Sequence, residues 1–204
     1  MLGRLAKLAT TCEQGLVQEP LKVSQQESRA IKKIAIPNAA VYSKSDDDKR
    51  LYKMQLDVLI AELKKSGRFD IVSPRQFQRK ADELDLLQDI YTMNMEELKV
   101  EAAKVAQTLG CDAVLALGSK QQKVAMGGAV AQTLFVGTVS VPFIATLDLV
   151  SSRTAKSIWY QEYEGKFTAG QMGIKNTPDD ELRNMLTPVM QPLVADFLNS
   201  FSTS

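Results

Sequence analysis

A chain of 204 residues with 45% hydrophobic residues suits one globular domain with its own core. Its 25 basic and 24 acidic residues leave a net charge of +1, which argues against a nucleic-acid partner, because such partners select clustered Lys and Arg. The chain has no histidine, so Ser–His and Cys–His catalysis are excluded, and its two distant cysteines, Cys12 and Cys111, indicate neither a disulfide framework nor a zinc site. We therefore expect no catalytic residues, no metal and no cofactor.

Residues 1–29 are polar, rich in Gln and without a period, which is typical of a flexible N-terminal tether, and we expect a single domain over residues 30–204. Cys12 follows the residues LATT, a stretch similar to a lipoprotein processing site, and it is our candidate for lipidation. The apolar run before Cys12 is too short for a signal-peptide core, and no later stretch reaches the ~18–20 apolar residues that a membrane helix needs.

The first half of the domain alternates strands with helices. The β-branched run IKKIAIP predicts a first strand that ends at Pro37. Acidic residues at 46–48 favour a helix start, apolar residues then recur at helical spacing, and Gly67 ends this helix. The run RFDIVS predicts a second strand, and Ser73 with Pro74 predicts the capped start of another helix.

A stronger helical pattern follows this region. Asn94 and Glu97 have the spacing of a capping box, and apolar residues repeat every three or four positions before Gly110, namely Met95, Leu98, Ala102, Val105 and Leu109. The next segment, DAVLALG, is apolar on both faces and predicts a third, central strand. Strand, helix, strand, helix, strand is the order of an α/β fold.

The second half changes to an antiparallel pattern. Residues 137–150 alternate between apolar and polar, which predicts a long half-buried strand, while SSRTA predicts a turn and KSIWYQEYEGKF the returning strand of a hairpin. The last segment predicts a C-terminal helix with Thr177 as its cap and Pro178 in its first position, and Pro188 and Pro192 predict a kink or break within it. The expected fold class is α/β (α+β): a mixed β-sheet flanked by helices, in the order β-α-β-α-β, antiparallel β-hairpin and C-terminal helix.

Four motifs carry a resemblance to a family of bacterial envelope proteins: the proline-ended strand at 31–37, GRFDIV at 67–72, GCDAVLALG at 110–118 and LDLVSSRTAKSIW at 147–159. The chain resembles the family of the curli secretion lipoprotein (CsgG), whose relatives include the N-terminal domain of TolB and lipoprotein activators of penicillin-binding proteins. The likeness spans roughly residues 31–201 and specifies a fold more than a function. It implies a location in the periplasm or at the outer membrane and contacts with protein partners of the cell envelope.

Three residues of the hairpin motif, Asp148, Thr154 and Trp159, are predicted to be structural. Trp159 is the only tryptophan, and we expect it to close the core by packing under a helix; the alternative is a platform for a ligand. Ala155 occupies the turn position where the family usually has glycine.

The segment 122–143 is uncharged from Val124 onward and is rich in glycine. One interpretation is a glycine bend that joins two core strands. The other, of equal weight, is an insertion covered by another subunit or a membrane, because an exposed uncharged run is an aggregation hazard in a monomer; in the curli pore the corresponding insertion is a transmembrane hairpin. The candidate assembly residues are Val124, Met126, Gly127, Gly128, Leu134, Phe135, Val136 and Phe143.

The leading functional hypothesis is a non-enzymatic accessory protein of the bacterial envelope that acts through protein–protein contacts in secretion, surface assembly or cell-wall regulation. The second hypothesis is an oligomeric pore- or ring-forming secretion subunit that inserts or assembles through residues 124–143. A third, an enzyme that uses carboxylates and a metal, has little support in the sequence. Expected partners are envelope proteins, further copies of the chain and the outer membrane, and no nucleic acid.

Overall fold

The computed structural model describes residues 15–16, 30–38, 46–88, 93–121, 138–170 and 177–201. The strands within these ranges are β1 (Gly15–Leu16), β2 (Lys33–Ala35), β3 (Asp70–Val72), β4 (Ala113–Gln121), β5 (Thr138–Ser151) and β6 (Ser157–Gly170). The helices are α1 (Asp46–Ser66), α2 (Pro74–Glu83), α3 (Met95–Thr108) and α4 (Asp179–Ser200).

The strands form one mixed sheet in the order β1-β6-β5-β4-β2-β3. β2 pairs in parallel with both β3 and β4, whereas β4, β5, β6 and β1 pair in antiparallel fashion. The predicted fold class is thereby confirmed, with β4 central between the parallel and antiparallel halves. Within the predicted tether, Gly15 and Leu16 pair with β6.

The two faces of the sheet bury separate clusters of apolar side chains. On one face, Ile34, Leu115 and Leu147 pack with α1 and α4. On the opposite face, Ala35, Val114 and Val150 pack with α2 and α3. The alternation of side chains along each strand produces this division, because successive residues point to opposite faces.

Helices α1 and α4 run in parallel, side by side. Arg50 donates a hydrogen bond to Asp179, Asp57 lies 3.5 Å from Arg183, and Arg68 donates to the carbonyl of Phe201 at 3.4 Å. The contacts advance in the same direction along both helices.

Several predicted helix boundaries are confirmed. Both Ser73 and Asn94 form complete capping boxes, with Gln76 and Glu97 respectively. Gly67 follows α1 with a φ of +60°, and Gly110 follows α3 with a φ of +65°, a region that glycine enters without steric cost.

Three expectations were wrong. Thr177 does not cap α4: Pro178 is the extended N-cap residue, and it offers no side-chain hydrogen bond. Pro188 and Pro192 do not break α4, which is one helix whose buried face packs on α1 and β6. Met95, expected on the apolar stripe of α3, is 58% exposed, whereas Val105 of the same stripe is buried together with Ala103 and Ala106.

Asp112, at the entrance to β4, joins three segments of the chain. Its carboxylate oxygen Oδ2 accepts hydrogen bonds from the backbone N–H groups of Lys32 and Lys33, both at 2.9 Å. Its own backbone N–H donates to the carbonyl of Lys33 at 2.8 Å. Its carbonyl accepts from the N–H and the hydroxyl of Ser152, at 3.0 and 2.8 Å. Asp112 therefore holds the start of β2 and the turn between β5 and β6 against the start of β4.

Replacement of the Asp112 carboxylate is expected to destabilise the fold. Asp112→Ala leaves two backbone N–H groups without their acceptor, which is expected to lower the free energy of unfolding by about 1–3 kcal/mol. Asp112→Asn keeps one acceptor oxygen and is expected to lose less. Urea denaturation of the two variants tests this, and an alanine variant as stable as the parent chain would contradict the assigned role.

Candidate functional site on the long hairpin

The hairpin of β5 and β6 is long, and much of it lacks a neighbouring strand among the described residues. Its strands pair from Thr138 with Gly170 to Val150 with Ser157. β4 accompanies β5 only as far as the pair Gln121 and Phe143, so residues 138–142 and 166–170 continue past β4 as a two-stranded ribbon. On the outer side of β6, the described residues offer pairing only at Tyr163 and Glu164, with β1. Within the described residues, most of the outer strand edge of the hairpin is therefore unpaired.

The turn of the hairpin spans residues 152–155. Ala155 has a φ of +55°, and its N–H donates to the carbonyl of Ser151 at 2.9 Å. Thr154 lies in this turn and donates its N–H to Ser151 Oγ at 3.4 Å. A left-handed conformation is costly for any residue with a Cβ, so alanine occupies a position that favours glycine.

The core face of the hairpin contains Trp159. Its side chain is fully buried and its indole N–H donates to the hydroxyl of Ser200 at 3.0 Å. The ring meets that of Phe197 edge-on, with 5.0 Å between centroids. Two residues further on, Gln161 donates to the hydroxyl of Tyr163 at 3.2 Å, and Tyr163 donates to Asp196 of α4. Trp159 thus lies under α4 with its one polar group bonded.

The opposite face of the hairpin is polar. Asp148 Oδ2 accepts from the hydroxyl of Ser157 at 2.9 Å and lies 3.4 Å from Lys99 Nζ of α3. The second oxygen, Oδ1, is buried and has no hydrogen-bond partner among the described residues. Gly118 of β4 accommodates this face, since a Cβ there would lie 2.2 Å from the hydroxyl of Thr146.

Tyr160 pairs with Asp148 across the hairpin and belongs to the same polar face. Its hydroxyl donates to Glu162 at 3.0 Å. Burial, followed by this hydrogen bond and the nearby carboxylates, raises the pKa of Tyr160 to about 12.

The predicted site residues fall into two groups. In the first group, Asp148 lies on the polar face, Thr154 lies in the turn, and Trp159 lies in the core. Phe143 pairs with Gln121 and Gly165. The remaining candidates lie outside the described residues, namely Cys12, Val124, Met126, Gly127, Gly128, Leu134, Phe135 and Val136.

Sequence reasoning missed Lys99, Ser157, Tyr160 and Glu162 as members of the polar face. The last two alternate with Trp159, Gln161 and Tyr163, so the period of two could have indicated them. Lys99 lies on a distant helix, and its contact with Asp148 has no local sequence signal.

The described residues lack several features that common functional sites require. They contain no cluster of three or more Cys, Asp or Glu that could hold a metal ion. In the same part of the chain, none of the helices combines the length and the apolar character that crossing a membrane requires. Burial raises the pKa of the Cys111 thiol to about 11, so this cysteine is protonated near neutral pH and is a poor nucleophile.

Family models and curated proteins gave no match to the chain. Several solved structures are similar to it. One is lipoprotein GNA1162 from Neisseria meningitidis, with 16% identity, a TM-score of 0.46, and 81% of this chain and 99% of that chain covered. Another is the LpoB C-terminal domain from Escherichia coli, with 15% identity, a TM-score of 0.40, and 71% and 94% covered. A third is the PelC dodecamer from Paraburkholderia phytofirmans, with 13% identity, a TM-score of 0.40, and 89% and 97% covered.

Ala155→Gly is expected to stabilise the protein. The substitution removes the steric cost of a left-handed alanine, about 1–2 kcal/mol. Glycine loses more backbone entropy on folding, which costs about 0.5–1 kcal/mol, so the net gain in the free energy of unfolding is about 0.5–1 kcal/mol. Ala155→Val, which places a branched side chain in the same conformation, is expected to destabilise. Thermal and urea unfolding measure both effects; a less stable glycine variant would show that the turn does not hold this conformation.

Tyr160 is expected to titrate late and to weaken the fold at high pH. Its folded-state pKa of about 12 exceeds the ordinary value of 10.0, so its contribution to stability is complete below pH 10 and is lost as the pH rises towards 12. Tyrosinate absorbance is measured against pH in the parent chain and in Tyr160→Phe. The component that is lost in the variant reports the pKa of Tyr160. Glu162→Gln is expected to shift that component to lower pH, whereas Glu181→Gln on α4 is expected to leave it unchanged. A Tyr160 component that titrates near pH 10 in the parent chain would contradict the burial of the hydroxyl.

Proposed function

We propose that the chain is a non-enzymatic accessory protein of the bacterial envelope, in the periplasm or at the outer membrane, that acts through protein–protein contacts in secretion, surface assembly or cell-wall regulation. The observation that carries this proposal is the outer edge of β6, where the described residues supply pairing only at Tyr163 and Glu164. A strand edge offers backbone N–H and C=O groups to a strand of another protein. Lipidation of Cys12 would anchor the domain near its partner.

The polar face beside this edge supports binding to a protein. Asp148, Ser157 and Lys99 form a connected set of hydrogen bonds and ion pairs, and Tyr160 with Glu162 extends it along β6. Such a surface supplies directional contacts at the rim of an interface. The envelope location is supported by the four motifs that resemble those of the curli secretion lipoprotein family.

Site-specific photo-cross-linking in living bacteria tests the proposal. A photoreactive residue in place of Glu162, which is half-buried on the polar face of β6 and lies outside the stretch paired with β1, is expected to give a discrete cross-linked protein, and the envelope fraction is expected to contain it. The same residue in place of Lys64, exposed on α1, is the matched control and is expected to give no such product. Equal products from both positions, or a protein found only in the cytosol, would contradict the proposal.

A second candidate function is an oligomeric pore- or ring-forming subunit that assembles through residues 124–143. The observation that favours it is the ribbon of residues 138–142 and 166–170, which continues past β4 and leads directly into that segment. An uncharged, glycine-rich run is suited to packing against another copy of the chain.

Light scattering with size-exclusion chromatography, with and without detergent, tests the second candidate. A defined ring is expected, and Phe135→Asp is expected to dissociate it, since the change adds a charge within the apolar run. Gln132→Asp adds the same charge at a polar position and is expected to have the smaller effect. A monomer in both conditions would rule out this candidate.

A further inference from the structure

A groove of about 1070 Å³ lies between α1 and α2, at the sheet edge away from the hairpin. Asn38, which follows β2, and Ser73, which follows β3, lie at one end of it. The groove therefore opens at the carboxyl ends of the two parallel strands, a common place for ligands in α/β sheets. Its volume is at the upper end of the range for small-molecule sites, about 300–1000 Å³, so the groove has room for a short peptide segment.

The walls of the groove are positively charged. Lys49 and Lys53 of α1 and Arg75 and Arg79 of α2 line it, against two acids, Asp57 and Asp82. Both acids are engaged: Asp57 lies 3.5 Å from Arg183, and Asp82 accepts from Gln78 at 2.9 Å. The groove therefore carries an excess of positive charge.

Two of these cations form ion pairs with carboxylates that lie outside the groove lining. Asp46 is 3.6 Å from Lys49, and Glu83 is 3.9 Å from Arg79. In both pairs the side chains are at least half exposed, and exposed ion pairs contribute little free energy and exchange readily. A ligand carboxylate can therefore replace them.

The floor of the groove is apolar, and its ends carry side-chain amides. Tyr52 and Leu56 are buried beneath it, and Ile60 is half-buried. Asn38 presents a side-chain amide, which can donate to and accept from a peptide backbone. Gln76 and Gln78 also line the groove, with the Gln76 oxygen bonded to Ser73 and the Gln78 amide donating to Asp82.

We propose that the groove binds an acidic peptide segment in an extended conformation. On each wall the two cations are four residues apart along a helix, a rise of about 6 Å. Side chains two residues apart on one side of an extended peptide are about 6.6–6.8 Å apart, and successive side chains point to opposite sides. Four consecutive acidic residues therefore have a spacing that matches the two cations of each wall. This binding site lies at the other end of the sheet from the hairpin and does not rest on the function proposed above.

Fluorescence anisotropy of the full chain with a fluorescein-labelled tetraglutamate peptide tests the proposal. Saturable binding that weakens with added salt is expected, because the contacts are between exposed charges. Lys53→Gln with Arg75→Gln is expected to raise the Kd about tenfold. The matched control, Lys64→Gln with Lys65→Gln, removes the same charge from the far end of α1 and is expected to leave the Kd within about twofold.

Three results would overturn the proposal. The first is no saturable binding to the parent chain, and the second is an equal loss of affinity in both double variants, which would indicate a general charge effect. The third is displacement of the labelled peptide by pyrophosphate at a lower concentration than unlabelled tetraglutamate requires. That result would assign the groove to compact phosphates. Selective loss in the groove variant, with a labelled tetralysine peptide that does not bind, supports the proposal.

Discussion

The hydrogen bonds that Asp112 makes with Lys32, Lys33 and Ser152 hold β2, β4 and the turn between β5 and β6 in one alignment. This alignment matters because side chains alternate along a strand with a period of two. A shift of one residue would turn Trp159 to the polar face and Tyr160 into the core. The close approach of Gly118 and Thr146 adds a steric condition on the same alignment, because a side chain at Gly118 would clash with the Thr146 hydroxyl. The alignment of the strands thus gives a physical reason for Asp112 and for Gly118 within the motif GCDAVLALG.

The two faces of the hairpin follow from this register. Trp159 and Phe197 seal the core under α4, with the indole N–H bonded to Ser200. On the other face the side chains are polar and bonded to one another, and Lys99 of α3 compensates the charge of Asp148. A hairpin held rigidly on one side and polar on the other is a suitable scaffold for contact with a partner, because little conformational freedom is lost when it binds.

The groove and the hairpin occupy opposite ends of the same sheet. α1 and α4 pack side by side over one face, and this leaves the other side of α1 free to form the groove with α2. The structure therefore separates a cationic binding groove from the edge of β6. A molecule with two contact surfaces of different chemistry is suited to join two partners.

Local patterns in the sequence were sufficient for much of the fold. The cap at Ser73 with Pro74 and the capping box of Asn94 with Glu97 located two helix starts, and the period of two located the hairpin. Local patterns failed where tertiary packing determines the exposure of a residue or the continuity of a helix. Met95 follows the apolar spacing but is exposed, and Pro188 and Pro192 lie within a helix that is held by its buried face.

The candidate site was less predictable than the fold. Trp159, Asp148 and Thr154 could be named from the motif, and the alternation along β6 contains a signal for Tyr160 and Glu162. The partner of Asp148, Lys99, is on a helix far away in sequence, and the four cations of the groove come from two separate helices. Such groupings arise from the tertiary fold, so a single sequence gives no local indication of them.

The most direct measurement is residue-resolved amide hydrogen exchange along β6 in the isolated protein. If the outer edge of β6 is open, protection will alternate along the strand: the amides bonded to β5 will exchange slowly, and those pointing away from it will exchange quickly except beside β1. Uniformly slow exchange of both sets, equal to that of β4, would show that the edge is already covered and would contradict its role as the contact surface.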